Sequence, residues 1–454
     1  MALTIEFLGA AGTVTGSKYC VSDGTRKVLV DCGLFQGVKD LRLQNWAKFP
    51  VDPQGIDAVV ITHAHLDHTG YLPLLAKQGY RGPIYATPPT QDISKILLLD
   101  SAHIQEEDAE NANRNGFSKH APAKPLYTTA DAHSAIELFK SIKGTEWTEI
   151  LPGWKIRFQK SGHILGSAFI ELIVAGKKIV FSGDLGRDNP LTLDSPTAIE
   201  NADYLLIEST YGDRIHPVVP PLELLSKVIV ETVERGGHLL IPSFAVGRTQ
   251  DLLYLLATLK RNCAMPEIPV FLDSPLGLNA TEIFESYPDW HKLSRDDISA
   301  MREITTIIKS RQQSQEVMRR KPSSIVIAGS GMVTGGRILH HLKARLWDKK
   351  NTVLLVGFQA AGTRGRLLEQ GISELKIHGE YFPVGANIVE LPGLSAHADQ
   401  KEILDWLKNF KSPPRQTLIV HGEPQASDAL RVKIQDTFHW NCHIPKIFEK
   451  VTLD

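Results

Sequence analysis

The sequence has few cysteines and almost no net charge. Its 454 residues contain four cysteines, and 50 Lys and Arg residues stand against 51 Asp and Glu residues, for a formal net charge of -1. The cysteines are scattered, with no paired C-x-x-C spacing, so a dense disulfide framework is excluded and a reducing compartment is expected. Because the charges balance, binding of nucleic acid through bulk charge is excluded, and any polyanion must be held by a local site.

The sequence also lacks long apolar runs. The longest, such as residues 352–356, are far shorter than the roughly 20 residues that cross a bilayer. No basic segment followed by an apolar core opens the chain, so no signal peptide is visible. We therefore expect a cytoplasmic protein with no membrane partner.

What the sequence does contain is the alternation of an α/β protein. Short apolar runs are each followed by a polar or glycine-containing turn and then by a helical pattern, as at Asp31, His63 and His421. The candidate functional groups thus stand at the carboxyl ends of predicted strands, where the ligand sites of open α/β sheets gather.

The middle of the chain, from about Gly212 to about Gly385, has its own alternation of strands and helices and none of the ligand motifs described below. A chain of 454 residues exceeds what one hydrophobic core usually serves, so two domains are expected. Asp184 and His421, on either side of this stretch, both have the character of site residues. We therefore predict one domain in two parts, 1–208 and 386–454, with an inserted domain at 209–385.

Residues 63–68 read His-Ala-His-Leu-Asp-His, and four of these six side chains are common metal ligands. Imidazole and carboxylate together suit zinc or a similar divalent ion. The alternative, a polar loop with incidental histidines, does not explain so dense a cluster. We therefore predict that His63, His65, Asp67 and His68 bind metal.

A site for two metal ions needs more ligands than one loop supplies. Three further candidates stand beside glycines at predicted strand ends, where the backbone can approach a ligand closely: His163, Asp184 and His421. Taken singly, such a residue is more often a turn or cap residue. Together with residues 63–68, these three predict a two-metal site.

The chain thus contains, in order, Asp31 in Asp-Cys-Gly, the cluster of residues 63–68, and His163, Asp184 and His421. These motifs resemble those of the metallo-β-lactamase-fold hydrolases in residue type and in order. The resemblance implies an α/β fold, namely the αββα sandwich of that superfamily. It further implies the following roles: His63, His65 and His163 hold one zinc ion, Asp67, His68 and His421 hold the other, Asp184 bridges them, and Asp31 orients ligands through hydrogen bonds.

Two further segments are similar to motifs of the β-CASP nucleases within that superfamily: Glu208 in Ile-Glu-Ser-Thr-Tyr-Gly and His397 in Leu-Ser-Ala-His-Ala-Asp. The predicted insertion matches the α/β β-CASP domain in position and approximate size. The resemblance is closest to the RNA-cleaving branch related to the endonuclease subunit of the polyadenylation machinery and its bacterial homologues, because the DNA-repair branch typically departs at the position of His421.

The resemblance implies a zinc-dependent ribonuclease that acts on RNA, single-stranded in preference. Two zinc ions, or other divalent metals, would activate a hydroxide for attack on the phosphodiester, with His397 as general acid and Glu208 orienting it. Endonuclease and 5′-to-3′ exonuclease action both stay open, and a homodimer is compatible with the sequence.

Five residues of the insertion are candidates for phosphate or RNA contacts. Ser330 and Gly331 follow a predicted strand, where the N–H groups of a glycine-rich turn can form an anion-binding nest. Ser243 stands at another predicted strand end, and Arg248 and Arg337 are candidates through their charge. Glycine-rich turns are also common for structural reasons alone, and each arginine is equally well explained as a surface salt-bridge partner.

Three other interpretations stay open on the sequence alone. A metallo-hydrolase of small molecules, such as a lactam or a thioester, gives no reason for the long insertion. A DNA-directed β-CASP nuclease shares most of the motifs. A non-catalytic subunit is the third interpretation, but such partners have lost metal ligands, and here every expected ligand is present.

Overall fold

The computed structural model describes residues 2–116, 120–217, 219–357, 359–360 and 362–454. The chain divides into two compact units. The first comprises the residues up to Asn189 together with Ser195–Ile215 and His397–Asp454, and the second comprises Pro190–Asp194 and His216–Ala396. The domain boundaries given above, 1–208, 209–385 and 386–454, stay a prediction.

The strands of the described residues are, in chain order, β1 (Leu3–Phe7), β2 (Tyr19–Ser22), β3 (Lys27–Val30), β4 (Ala58–Val60), β5 (Ile84–Ala86), β6 (Phe139–Ser141), β7 (Thr148–Leu151), β8 (Trp154–Lys160), β9 (Ala168–Val174), β10 (Lys177–Phe181), β11 (Tyr204–Glu208), β12 (Leu239–Pro242), β13 (Val270–Leu272), β14 (Thr305–Ile307), β15 (Ile325–Ala328), β16 (Thr352–Val356), β17 (Glu374–Ile377), β18 (Glu380–Pro383), β19 (Asn387–Leu391), β20 (Gln416–Val420), β21 (Cys442–His443) and β22 (Lys450–Leu453).

The helices of the same residues are α1 (Lys39–Gln44), α2 (Leu66–Thr69), α3 (Leu72–Lys77), α4 (Pro88–Asn115), α5 (Thr129–Ile136), α6 (Pro221–Glu234), α7 (Arg248–Arg261), α8 (Pro275–Ser286), α9 (Arg295–Ile304), α10 (Arg311–Arg319), α11 (Ile338–Arg345), α12 (Arg364–Glu369), α13 (Gln400–Leu407) and α14 (Pro424–Phe438). Within the described part of the chain, none of them combines the length and the apolarity that crossing a bilayer requires.

Two seven-stranded sheets form the centre of the first unit, in the orders β22-β1-β2-β3-β4-β5-β6 and β21-β20-β11-β10-β9-β8-β7. The sheets face each other across a shared apolar core. Alternate side chains of a strand point to one face, so along β8 Trp154, Ile156 and Phe158 are buried in this core while the residues between them are not. The period-two pattern of the sequence thus directs one face of each sheet inward.

Helices cover the two outer faces of this pair of sheets. Leu75, Leu98 and Ala132, from α3, α4 and α5, pack against the first sheet. Ile403 and Leu430, from α13 and α14, pack against the second. The layers therefore run α-β-β-α, which confirms the predicted α/β class and αββα sandwich.

The direction of the strands decides where the polar residues of the first unit gather. In the first sheet β3 is parallel to β4, and in the second β10, β11 and β20 are mutually parallel. Asp31 follows β3, Asp184 follows β10, Glu208 ends β11 and His421 follows β20. Because the carboxyl ends of parallel strands lie at the same edge of a sheet, each sheet presents its polar residues at one edge.

The second unit is built on a six-stranded sheet of order β14-β13-β15-β12-β16-β19, in which every neighbouring pair is parallel. Strands such as β15, Ile-Val-Ile-Ala, are buried at each position, as expected when helices cover both faces. Helices α6, α7 and α9 pack on one face, and α10, α11 and α12 pack on the other. This unit is therefore a three-layer α/β domain of its own.

A buried polar network lies at the end of β13 in the second unit. Asp273 accepts hydrogen bonds from Arg337 Nη1 at 2.6 Å, His341 Nε2 at 2.7 Å and Ser314 Oγ at 2.5 Å. His341 Nδ1 lies 3.2 Å from Arg345 Nη1, and because a guanidinium can only donate, His341 is neutral with its proton on Nε2. Burial, the largest cause, lowers the pKa of His341 in agreement with that protonation.

We predict that acid destabilises the second unit through His341. Its folded-state pKa lies below the ordinary value of 6.5, so as the pH falls below that value the unfolded chain takes up a proton first and the folded state loses stability. His341→Gln retains a donor toward Asp273 but does not titrate. The loss of unfolding free energy between about pH 7 and about pH 5, measured by chemical denaturation, should therefore be smaller in this variant.

The control is His133→Gln, on an exposed part of α5, which should leave the pH dependence of stability unchanged. A pH dependence equal in His341→Gln and in the parent chain would contradict a neutral, buried His341.

Candidate metal centre

The structure brings together all of the predicted metal ligands in the first unit. They stand on loops that follow or precede strands of the two facing sheets. His163 lies between β8 and β9, Asp184 follows β10, and His421 follows β20. Residues 63–68 follow β4 and run into the short helix α2. Ligands that are distant in sequence therefore meet at one place on the sandwich.

The first ligand set consists of His63, His65, His163 and Asp184. His65 Nδ1 lies 3.1 Å from His63 Nε2 and 3.1 Å from His163 Nε2. Asp184 Oδ2 lies 3.4 Å from His63 Nε2 and 3.5 Å from His163 Nε2. Neighbouring ligand atoms of this set are therefore 3.1 to 3.5 Å apart.

The second ligand set consists of Asp67, His68 and His421. His68 Nε2 lies 3.2 Å from His421 Nε2 and 3.9 Å from Asp67 Oδ2, and the last two atoms are 3.5 Å apart. The other oxygen of Asp184, Oδ1, lies 3.3 Å from His68 Nε2. The carboxylate of Asp184 therefore presents one oxygen to each ligand set.

The donors of both sets fit a divalent metal ion. Ring nitrogens such as His63 Nε2 and His65 Nδ1 lie 3.1 Å apart. A proton between them can form a hydrogen bond within one such pair only, whereas a metal cation accepts lone pairs from several ring nitrogens at once. Tetrahedral zinc with Zn–N bonds of about 2.0–2.1 Å keeps its ligand atoms about 3.4 Å apart, close to the separations in the first set. Asp184 Oδ1 is buried without a hydrogen-bond partner in the described chain, as expected for an oxygen that binds a cation.

The protonation states of the first ligand set agree with metal binding. Burial, the largest cause, lowers the pKa of His63 to about 3 and that of His65 to about 4. Burial also lowers the pKa of His163. For Asp184, burial opposes the charged form, but His421 and other neighbouring imidazoles hold its pKa well below the usual value. Neutral imidazole and ionised carboxylate are the forms that bind a metal ion.

Asp31 lies behind the second ligand set and is fully buried. Its Oδ2 is 2.7 Å from His68 Nδ1, and its carboxylate accepts hydrogen bonds from the N–H of Thr62 at 2.8 Å and the hydroxyl of Thr62 at 2.9 Å. Because a carboxylate only accepts, Nδ1 of His68 carries the proton and Nε2 is left to bind a cation. The backbone φ is +58° at Asp31 and +49° at His421, a strained region that side chains tolerate chiefly at functional sites.

Glu208 and His397 form a second arrangement beside Asp184. His397 Nδ1 lies 3.2 Å from Glu208 Oε2 and 3.9 Å from Asp184 Oδ2. Burial opposes the charged imidazole, but the carboxylates of Glu208 and Asp184 raise the pKa of His397 to about 9. Glu208 also lies near the ligand atoms of Asp184 and His421, but its Oε1 accepts the N–H of Leu185 at 2.5 Å and its carboxylate faces His397.

The loop that carries His397 is fixed by residues that the sequence analysis does not identify. Asp399 and Glu402 form a capping box at the start of α13, directly after His397. Arg187 Nε donates to both oxygens of Glu402 at 2.8 Å and so ties the helix start to the segment after β10. The Asp-x-x-Glu spacing is a sequence signal for the capping box, whereas no local signal pairs Arg187 with Glu402.

Three of the predicted RNA contacts lie at strand ends of the second unit. Ser330 and Gly331 follow β15, and the Ser330 hydroxyl accepts the N–H groups of Thr334 at 2.9 Å and Gly335 at 3.1 Å, which closes a tight loop. Ser243 directly follows β12 and is buried. The strand-end positions predicted for these residues are therefore present, while their contact with RNA stays a prediction.

The two predicted arginine contacts, also in the second unit, already have acidic partners. Arg248 Nη1 pairs with Asp251 Oδ2 at 3.0 Å, and Arg337 Nη1 pairs with Asp273 Oδ1 at 2.6 Å. Arg337 in addition donates to the carbonyl of Ile308 at 3.2 Å. Any contact of these guanidinium groups with phosphate would be made in competition with, or beside, these partners.

Three parts of the chain match known domain families. Residues 26–235 match the Beta-lactamase superfamily domain, residues 249–368 match the Beta-Casp domain, and residues 381–445 match the Zn-dependent metallo-hydrolase RNA specificity domain. Together with the αββα sandwich and the His/Asp cluster, these matches define a metallo-hydrolase of the metallo-β-lactamase fold.

Named relatives match nearly the whole chain. It is 37% identical to Ribonuclease TTHA0252 of Thermus thermophilus over 93% of this chain and 94% of that protein. It is 32% identical to the RNase J-like protein of Methanocaldococcus jannaschii over 94% of each, and 31% identical to Transcription termination factor FttA of Methanosarcina mazei over 93% of this chain and 67% of that protein. The chain therefore belongs to the β-CASP family of metallo-β-lactamase-fold ribonucleases, as its motifs predict.

A solved structure of a protein of unknown function from Enterococcus faecalis V583 is similar in fold. The TM-score is 0.57 at 12% identity, with all of both chains covered. At that identity the likeness supports the architecture only.

We predict that Asp31→Asn weakens zinc binding about 10- to 100-fold without unfolding the chain, because the amide no longer fixes the tautomer of His68 as the carboxylate does. Competition titration against a chelator measures the affinity, and circular dichroism checks the fold. The exposed Asp428→Asn variant is the matched control and should bind zinc like the parent. Unchanged zinc affinity in Asp31→Asn would contradict the ligand-orienting role.

Proposed function

We propose that this chain is a zinc-dependent ribonuclease that hydrolyses phosphodiester bonds of single-stranded RNA at the centre in its first unit. The observation that carries the proposal is the convergence of both ligand sets on Asp184, with the Glu208 and His397 pair beside them. Membership in a family of ribonucleases supports RNA as the substrate.

In this proposal His63, His65, His163 and Asp184 would hold one zinc ion, and Asp67, His68 and His421, together with Asp184, would hold the other. Zinc is the proposed ion because imidazole nitrogens and carboxylate oxygens together suit it. When bound, the ions lower the pKa of a water molecule and neutralise charge on the phosphodiester.

The chain's own residues supply the proton transfer. His397 presents Nδ1 to Glu208, which leaves Nε2 to donate a proton to the departing oxygen of the phosphodiester. Glu208 orients the ring and stabilises its protonated form, and it is itself held by the N–H of Leu185. Arg187 and Glu402 act as positioning residues, because they hold the helix start that follows His397.

Contacts to the RNA backbone are proposed for the second unit, at Ser243, Arg248, Ser330, Gly331 and Arg337. The loop of Ser330 and Gly331 is proposed because it is a glycine-rich turn after a buried parallel strand. The two arginines would contact phosphate while paired with Asp251 and Asp273.

The test is hydrolysis of single-stranded RNA by zinc-loaded protein. His397→Ala should lower kcat about 10²- to 10⁴-fold, the usual contribution of a general acid, while zinc content stays at the parent level. Glu208→Gln should lower kcat less, because the ring keeps a hydrogen-bond partner. His103→Ala, at an exposed position on α4, is the control and should keep full activity.

RNA labelled at either end distinguishes internal cleavage from stepwise removal of nucleotides, and DNA of the same sequence tests the DNA-directed alternative. Intact RNA with zinc-loaded protein, or full activity of His397→Ala, would refute the proposal. Turnover of lactams or thioesters without cleavage of RNA would replace it by the small-molecule hydrolase.

A further inference from the structure

The segment of residues 36–48, which contains α1, exposes apolar side chains to an unusual degree. Val38 is 50% exposed, Leu43 is 53% exposed and Trp46 is 58% exposed. Single exposed apolar residues are normal on a protein surface, but three within nine residues expose more apolar area than scattered single residues do, and such exposure favours a binding partner.

Trp46 is exposed although the residues on both sides of it are fixed by specific contacts. The neighbouring Asn45 is buried, and its side chain accepts the N–H of Phe35 at 2.9 Å and donates to the carbonyl of Phe35 at 2.8 Å. Phe49 is buried and packs against Tyr71 with ring centroids 5.3 Å apart. Trp46 thus projects from a base that is fixed on both sides.

The residues directly before the segment are joined to the loop that carries metal ligands. The N–H of Cys32 donates to the carbonyl of His68 at 2.7 Å, and the N–H of Leu34 donates to the carbonyl of Leu66 at 2.8 Å. A Cβ at Gly33 would lie only 1.5 Å from the carbonyl oxygen of Asp67, so this close approach requires glycine. Residues 36–48 therefore extend directly from the wall of the metal centre.

The charge of the segment points to the kind of partner. Lys39, Arg42 and Lys48 are exposed, and none of their side chains forms a hydrogen bond or ion pair within the described residues. The segment contains one acidic residue, Asp40. An exposed aromatic ring among unpaired cations is the combination that binds single-stranded nucleic acid, in which bases stack on rings and phosphates pair with cations.

We propose that residues 36–48 bind the single-stranded RNA substrate beside the metal centre, with a base stacked on Trp46 and phosphates held by Lys39, Arg42 and Lys48. This inference rests on the proposed function, because it takes RNA as the substrate. A protein partner or a second copy of the chain would not require the three unpaired cations.

The first test is the affinity for a fluorescein-labelled single-stranded RNA, measured by fluorescence anisotropy on zinc-loaded protein in the slowly cleaving His397→Ala background. Trp46→Ala should weaken binding roughly 5- to 150-fold, the range of one base–aromatic stack. Trp46→Phe should restore most of the affinity, whereas Trp46→Leu, which keeps apolar area without a ring, should not. Phe448→Ala, at another exposed aromatic residue of the first unit, is the control and should bind like the parent.

The second test is the salt dependence of the same binding. The double variant Lys39→Gln with Arg42→Gln should reduce the slope of log affinity against log salt concentration by about 1.4, since each phosphate contact to a single strand contributes about 0.7. The control removes two exposed lysines that pair with Asp405, Lys401→Gln with Lys408→Gln, and should leave the slope unchanged.

The outcomes separate this proposal from the one on which it rests. If the parent chain cleaves RNA but the Trp46 and double variants bind RNA with unchanged affinity and slope, the inference about residues 36–48 fails alone. If the parent chain neither cleaves nor binds RNA, both proposals fail. If Trp46→Ala leaves RNA binding intact but dissociates a dimer in sedimentation, the segment is an interface between copies and the RNA inference is overturned.

Discussion

The first unit depends on one constraint: a buried carboxylate, Asp184, must share a small space with imidazole rings from four loops. Burial lowers the pKa of His63 and His65 and so keeps their lone pairs free. His65 Nδ1 lies 3.1 Å from the Nε2 atoms of His63 and His163, and Asp184 Oδ1 is buried without a hydrogen-bond partner in the described part of the chain. Buried polar groups without partners are costly, so cations between the donors would stabilise this arrangement, and the surrounding structure holds the donors in place.

The need to hold these donor atoms in place explains why the site lies on a sandwich of two rigid sheets. Parallel strands deliver Asp31, Asp184 and His421 to sheet edges, and short loops leave these residues little freedom. The backbone is strained at two of these residues, since Asp31 and His421 both have left-handed backbone angles. The same sheets provide the apolar core that stabilises the fold, so the stability of the first unit and the geometry of its centre have a common origin.

The second unit has the organisation of an independent α/β domain. Its charged residues can therefore serve to stabilise that domain. Arg337 is predicted from sequence as an RNA contact because arginine often binds phosphate, yet in the structure it neutralises the buried Asp273. Any role in RNA binding is therefore secondary to a structural one. The Ser330 hydroxyl, by contrast, accepts two N–H groups of its own loop, so the proposed contact of this loop with RNA would depend on the conformation of the loop and not on a charge.

The sequence by itself determined the chemistry of the centre, because residue types and spacing are local: His63 to His68 lie on one loop, and strand-end positions mark Asp184, Glu208 and His421. The alternation of short apolar runs with helical patterns also indicated the α/β class, and the resemblance of the motifs implied the αββα sandwich. Only the tertiary structure decided which partners meet across the chain. The tie between Arg187 and Glu402, the hydrogen bond from His68 to Asp31 and the exposure of Trp46 each depend on packing between distant segments, and no local pattern records such contacts.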